Sequence, residues 1–296
     1  MKRRLIDRIH DRLWSVVTES LEKNQPLPHG TNKESGGASV SGTMDWPMAC
    51  AALHAGHWST KDFRKSKAVR QVVETLGPVD GRYFAKLIQK WEPALLHDPK
   101  VREIDAWGDP IRWPGILLGT PQSFSPTTLR YLAHALWLRN EGFVQPGGMI
   151  FEIGVGYGGL AAMNAWVSRA TTVLIDLDSV AQLATRQMRD LDLDKLSAIH
   201  SAADKLTDFC IISNYAFTEL SCEAQEFYMS TIIQHAKRGV ILSNASIFSD
   251  HIQGRSNEQM HDWFQTIGIE ATIATEHQVL CPSDRVCQNS LIHWKR

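Results

Sequence analysis

The chain has 296 residues, 43% of them hydrophobic and 21% charged, with 31 Lys and Arg against 32 Asp and Glu for a net charge of −1. At roughly 150 residues per domain this makes one large domain or two modest ones, with enough apolar surface to fill a core, and it excludes a disordered or fibrous chain. A protein whose affinity came from neutralising phosphates would carry a basic excess, so nucleic acid is not the expected partner.

The N-terminal stretch MKRRLIDRIHDRLWSVVTESLEK alternates charged and apolar positions and predicts an amphipathic helix rather than a signal peptide. No apolar run approaches the ~18–20 residues of a membrane span. Five scattered cysteines (Cys50, Cys210, Cys222, Cys281, Cys287) form no C-x-x-C pair. Reduced thiols and a cytoplasmic location are therefore expected, and a zinc framework is not. His54 and His57 share an apparent helix with no third ligand evident, and Asp250, His251 and Asp262 suggest no ordered set, so no metal is expected.

Further along, His29 to Thr43 is rich in Gly, Ser and Asn and reads as a loop. Lys61 to Leu96 reads as two helices broken around Gly77-Pro78. Next comes an irregular segment, AWGDPIRWPGILLGTPQSFSP, holding Trp107 and Trp113. Ser125-Pro126 opens a helix, TTLRYLAHALWLRNEG, and Gly142 stops it. Seven of the ten tryptophans precede residue 145. Most of them are expected to fill a core, while Trp107 or Trp113 could also stack on an acceptor.

From residue 148 the rhythm becomes strand–helix alternation. Strands are predicted in GMIFEIGV, TTVLIDL, LSAIHSA, DFCIISNY and GVILSNAS, with helices GGLAAMNAWVSR, VAQLATRQMRDL and CEAQEFYMSTIIQHAK between them. Short apolar β runs separated by amphipathic helices predict a parallel α/β sheet covered on both faces. A helix (SNEQMHDWFQTIG) and two further β runs, EATIATEHQ and NSLIHWK, then form a hairpin-like pair at one edge.

The strongest local signal is Phe151-Glu152-Ile153-Gly154-Val155-Gly156-Tyr157-Gly158-Gly159, where the first strand meets its helix. Glycines there let the backbone turn tightly against a ligand, and the helix start offers unpaired amides to an anion. Asp176 closes the next strand, 22 positions after Gly154, where a carboxylate can accept both ribose hydroxyls. Gly154, Gly156 and Gly159 also satisfy G-x-G-x-x-G, so a dinucleotide is the competing ligand. Glu152, the late position of the motif and the closing β pair favour E-x-G-x-G-x-G, an S-adenosylmethionine site. An oxidoreductase would also want Tyr-x-x-x-Lys, and Tyr228 is followed at that spacing by Ile232.

FEIGVGYGGLAA, SPTTLRYLAHALWL, IDL and the run from DFCIISNYAFTEL to GVILSN resemble a family of sugar O-methyltransferases. The resemblance covers roughly residues 105 to 296. Asp178 stands where that family often has proline. It implies a Rossmann-like seven-stranded class I methyltransferase core over residues 126–296, with a mostly helical lid or acceptor region over 1–125.

For such a fold, ligands sit at the carboxyl ends of the strands. Glu152, Gly154, Gly156, Gly158, Asp176, Leu177, Ser213 and Tyr131 are then the expected cofactor contacts, with Arg130 facing the site and Ser201 and Ala202 as weaker adenine candidates. A sugar hydroxyl needs a general base. Glu219 is the first candidate, because the resemblance centres on NYAFTEL, with His251 second. Glu219's alternative role is to cap the next helix. Asn214, Tyr215, Trp107 and Trp113 are the expected acceptor contacts.

The expected partner is a small sugar acceptor, nucleotide-linked or glycan-terminal, and a homo-oligomer stays open. Other readings also remain: a methyltransferase of another small hydroxylated metabolite, an NAD(P)-dependent oxidoreductase, and a catalytically dead scaffold.

Overall fold

The computed structural model describes residues 39–43, 45–199, 208–275 and 289–296. The N-terminal amphipathic stretch, most of the Gly/Ser loop, Ser201, Ala202, Cys281 and Cys287 lie outside these residues.

Seven strands form one sheet: β1 (Met149–Ile153), β2 (Thr171–Ile175), β3 (Ser197–Ile199), β4 (Phe209–Asn214), β5 (Arg238–Ser243), β6 (Thr272–Thr275) and β7 (Ser290–Lys295). Their order is β3-β2-β1-β4-β5-β7-β6. The first five are parallel, with Met149 opposite both Thr171 and Phe209. β7 runs antiparallel between β5 and β6. The two late β runs therefore pair as expected, but the last strand inserts inward and leaves β6 at the edge. This is the Rossmann-like, seven-stranded sheet expected from the sequence.

In β1, β2, β4 and β5 side chains alternate between two buried faces, which is why these strands read as continuous apolar runs. Phe151, Ile153, Val173, Ile211, Ile241 and Trp294 point to a face covered by α9 (Cys222–Thr231) and α11 (Asn257–Thr266), through Met229, Met260 and Phe264. Ile150, Leu174, Ile212, Val240 and Leu242 point to the opposite face, covered by α6 (Pro126–Asn140), α7 (Gly159–Ser168) and α8 (Asp178–Asp190). α8 begins at Asp178 itself, whose acidic side chain suits a first helical turn.

That second core does not stop at residue 125. Trp46 and Leu53 from α1 (Trp46–His54), Phe84 and Ile88 from α3 (Pro78–Trp91), and Val101 and Ile104 from α4 (Pro99–Ala106) belong to the same buried cluster as Leu160 and Val180. The N-terminal helices thus complete one layer of the core.

One predicted helix is absent from this layer. Residues 61–77 form a 3₁₀ turn, the four-residue α2 (Lys67–Arg70) and then irregular backbone. Val69 O receives the amides of Val72, Val73 and Glu74 and closes the turn. Beyond it, β-branched Thr75 and Gly77 (φ −101°, ψ 178°) before Pro78 favour extended backbone. α5 (Gly115–Leu118) and α10 (Ala245–Ile252) complete the described helices. His54 ends α1, and His57 lies beyond it, both exposed. Among the described residues, no helix is long and apolar enough to cross a membrane.

Candidate active site

The glycine loop is shaped by backbone needs. Gly154 has φ +83°, and a Cβ there would stand 1.9 Å from the Cβ of Ala216. Only glycine lets β1 turn out under the loop that follows β4. Gly158 has φ +95°, and its added Cβ would meet Gln187 at 2.9 Å and Ala184 at 3.2 Å. Gly158 is thus required for packing of the loop on α8. It is buried and, unlike Gly154 and Gly156, does not line the cavity of this site.

A cavity of about 500 Å³ opens above the carboxyl ends of β1, β2 and β4, within the size range of small-molecule sites. Glu152, Gly154, Gly156, Asp176, Leu177 and Tyr131, all expected from sequence, line it, as does Arg130 from α6. Asn214, Tyr215 and Glu219, from the segment after β4, line it too. Residues separated by up to about 90 positions therefore meet at one place, as the parallel topology requires.

Asp176 is held by two amides: Oδ2 accepts from Gly156 N at 3.2 Å and Oδ1 from Leu177 N at 2.8 Å. Glu152 is only 3% exposed, and its Oε2 has no hydrogen-bond partner among the described residues. Burial, reinforced by the nearby Asp176 charge, pushes its carboxyl up to about 8. A buried carboxyl oxygen without a partner costs free energy until a donor arrives. On the wall of this cavity it suits a cationic amine.

Glu219 sits in the 3₁₀ turn Ala216–Glu219, and its Oε1 accepts from Asn244 Nδ2 at 2.6 Å. Thr218 Oγ1 in turn lies 2.6 Å from Asn244 Oδ1, fixing the amide. Burial raises the Glu219 carboxyl above its ordinary range, with the Asn244 bond opposing. The cap of α9 is Ser221, whose hydroxyl accepts from Ala224 N, so Glu219 does not have the capping role. Tyr215 has φ +72°, an uncommon conformation for a non-glycine residue, and its amide donates to Leu242 O at 2.8 Å. Asn214 Nδ2 lies 3.4 Å from Nδ1 of His134. Burial first, and the Arg130 charge second, lower His134 to about 3, so its imidazole stays neutral.

Three expected contacts are made elsewhere. Ser213 is fully buried: its hydroxyl donates to Ile153 O at 2.8 Å and accepts from Phe217 N at 3.0 Å, tying β4 to β1. Trp107 is buried in the core, stacked on Tyr157 at 6.0 Å, with its indole N–H donating to Asp190. Trp113 bridges by backbone to Phe124 and lines a separate small cleft. The tryptophan on the cavity is Trp46 instead. His251 lies on α10, with its side chain outside the described part.

Several lining residues had no sequence signal. Gln71, Val72, Val73, Thr75 and Leu76 come from the turn and irregular segment after α2. Ser39 and Ser41 arrive through a bridge in which Val40 N donates to Glu219 O at 3.1 Å. Tyr228, Asn244, Ile247 and Asn289 complete the wall. Asn244 follows the carboxyl end of β5, where the parallel sheet places ligands.

No family model and no curated protein matches the chain. Solved structures resemble its core. One is geranyl diphosphate C-methyltransferase from Streptomyces coelicolor A3(2), with TM-score 0.41 and 15% identity, covering 55% of this chain and 78% of that one. Another is the N-terminal domain of human METTL16, with TM-score 0.41 and 9% identity over 56% and 70%. A protein of the NADB-Rossmann superfamily from Streptococcus agalactiae gives TM-score 0.36 and 13% identity over 55% and 65%. These likenesses concern the shape of the core, and the functional reading rests on the cavity.

Proposed function

We propose that the chain is an S-adenosylmethionine-dependent O-methyltransferase that methylates a sugar hydroxyl. The observation that carries this reading is the single cavity joining the glycine loop, the partnerless Glu152 oxygen and Asp176 to the oriented Glu219–Asn244 pair. Asp176 would hold the ribose, and Leu177 would lie against the adenine. Gly154 and Gly156 would admit the amino-acid end, with Glu152 accepting its ammonium. Bound there, S-adenosylmethionine supplies an electrophilic methyl group.

Glu219 removes the proton from the acceptor hydroxyl as its oxygen is alkylated. Its raised pKa brings the carboxyl closer to neutrality, which favours that role. Asn244 fixes the carboxylate's direction, so the base is positioned before the acceptor arrives. Asn214, Asn244 and Asn289 offer carboxamide donors and acceptors suited to a polyhydroxylated molecule. Among the described lining residues there is no lysine to complete a tyrosine–lysine pair with Tyr228, which weakens the oxidoreductase alternative.

The test is methyl transfer from labelled S-adenosylmethionine to a panel of free and nucleotide-linked sugars. Glu219→Gln should lower turnover by roughly 10²–10⁴-fold while leaving S-adenosylhomocysteine affinity unchanged. Unchanged turnover would remove Glu219 as the base.

A further inference from the structure

The segment that roofs the cavity is tied down by one residue pointing the other way. Val72, Val73, Thr75 and Leu76 line the cavity. Between them, Glu74 turns into the protein, where it is 8% exposed. Its Oε1 accepts from Arg64 Nε at 2.6 Å and from the Tyr157 hydroxyl at 3.1 Å, and its Oε2 accepts from Ser125 Oγ at 3.1 Å. Tyr157 belongs to the glycine loop, between Gly156 and Gly158, and is 1% exposed. The roof also touches that loop directly: a Cβ at Gly156 would lie 3.7 Å from Val73 Cγ2.

We propose that the Tyr157 hydroxyl and the Glu74 carboxylate form a latch that holds the Gln71–Leu76 roof on the glycine loop and so slows ligand escape from the cavity. The rest of the network supplies the rigidity this needs. Arg64 is fully buried, with its remaining N–H groups on the carbonyls of Asp105 and Trp107 and on the hydroxyls of Ser125 and Thr128. Each polar group is matched, and a satisfied buried network holds one geometry. Among the described residues two polar ties join roof and loop here: the Tyr157–Glu74 hydrogen bond, and the Arg64 guanidinium, paired with Glu74 and 4.7 Å from the centre of the Tyr157 ring.

Glu74 and Tyr157 are positioning residues, since neither reaches the cavity surface. The effect on ligand retention rests on the proposed cofactor reading; the mechanical coupling of roof to loop does not.

The decisive variant is Tyr157→Phe, which removes one oxygen and keeps the ring stacked on Trp107. Glu74→Gln is the harsher companion, because it leaves Arg64 buried beside a neutral group. Two quantities are measured on the full chain: the dissociation rate of S-adenosylhomocysteine, and hydrogen exchange of the amides of 71–76 against those of β4 and β5. The latch predicts dissociation about tenfold faster in Tyr157→Phe, the order expected for one charge-assisted hydrogen bond. It also predicts faster exchange confined to the roof. Equal exchange in the two proteins overturns the latch, as does a loss of protection spread equally over β4 and β5. Faster roof exchange with an unchanged dissociation rate overturns its role in retention. If the wild-type chain binds no S-adenosylhomocysteine, the cofactor reading fails, and roof exchange alone then decides the coupling.

Discussion

The floor and the roof of the cavity are built by different means. The floor comes from β1, β2 and the turns after them, within 27 residues from Met149 to Ile175 plus Asp176 and Leu177. Its demands are local: a strand, a turn with φ +83° at Gly154, a helix start and an acidic residue at the next strand's end. The roof is Gln71–Leu76, with Ser39, Ser41 and Trp46 beside it on the cavity wall, and its anchor bond spans 83 positions, from Glu74 to Tyr157. Local chemistry thus makes the part of the site that any ligand of this class requires. Long-range packing makes the part that closes over it.

The largest expected effect tests the floor. Gly154→Ala places a methyl 1.9 Å from Ala216 in a left-handed conformation, and neither backbone can move without disturbing the sheet. It should cost about 3 kcal/mol in urea denaturation with the slope unchanged. A cost below 1 kcal/mol would mean that the loop after β4 is not seated against β1 as described.

Ser213 sharpens the same comparison, since it looked like a cofactor contact and is a structural bond. Ser213→Ala leaves the Ile153 carbonyl and the Phe217 amide without their side-chain partner, at a cost of about 2 kcal/mol. S-adenosylhomocysteine affinity, read at a temperature where both proteins are folded, should be unchanged.

Glu152 gives a smaller effect, visible in pH dependence. Its carboxyl is raised from 4.5 to about 8 by burial and the Asp176 charge. Between those values the unfolded chain has released a proton that the folded chain keeps, so the ligand-free protein loses stability as pH rises through this window. An ammonium ligand prefers the carboxylate, so binding should take up no proton and instead release one. S-adenosylhomocysteine affinity should therefore rise by at most about tenfold per pH unit up to about pH 8. Glu152→Gln should flatten both profiles. A pH-independent affinity in the wild-type chain would detach Glu152 from the ligand.

This contrast between floor and roof is also the contrast between what was legible in the sequence and what was not. The central strands could be read because each is a short apolar run, buried on both faces and bounded by turn residues. Glu152, Asp176 and the glycines followed from their spacing. Asn214 followed from its place at the end of the fourth strand, and the choice of Glu219 from resemblance rather than from any physical pattern.

By contrast, residues 61–77 carry helix-compatible apolar spacing, yet Glu74 takes its partners from Arg64, Ser125 and Tyr157, and the backbone around it is turn and irregular rather than helical. Nothing near Glu74 in sequence announces those partners. Trp107 and Trp113 stood in an irregular, aromatic segment that resembled an acceptor wall. Trp107 fills the core and Trp113 packs half-buried against it beside a separate cleft, while Trp46, with no comparable signal, reached the cavity.

The central claim is that the floor is an S-adenosylmethionine site, and calorimetric titration with S-adenosylhomocysteine, beside NADH and NADPH, tests it most directly. The account predicts micromolar binding of S-adenosylhomocysteine, weakened on the order of 100-fold by Asp176→Ala through loss of two charge-assisted hydrogen bonds to ribose. Binding of a nicotinamide cofactor instead, or S-adenosylhomocysteine affinity indifferent to Asp176, would contradict it.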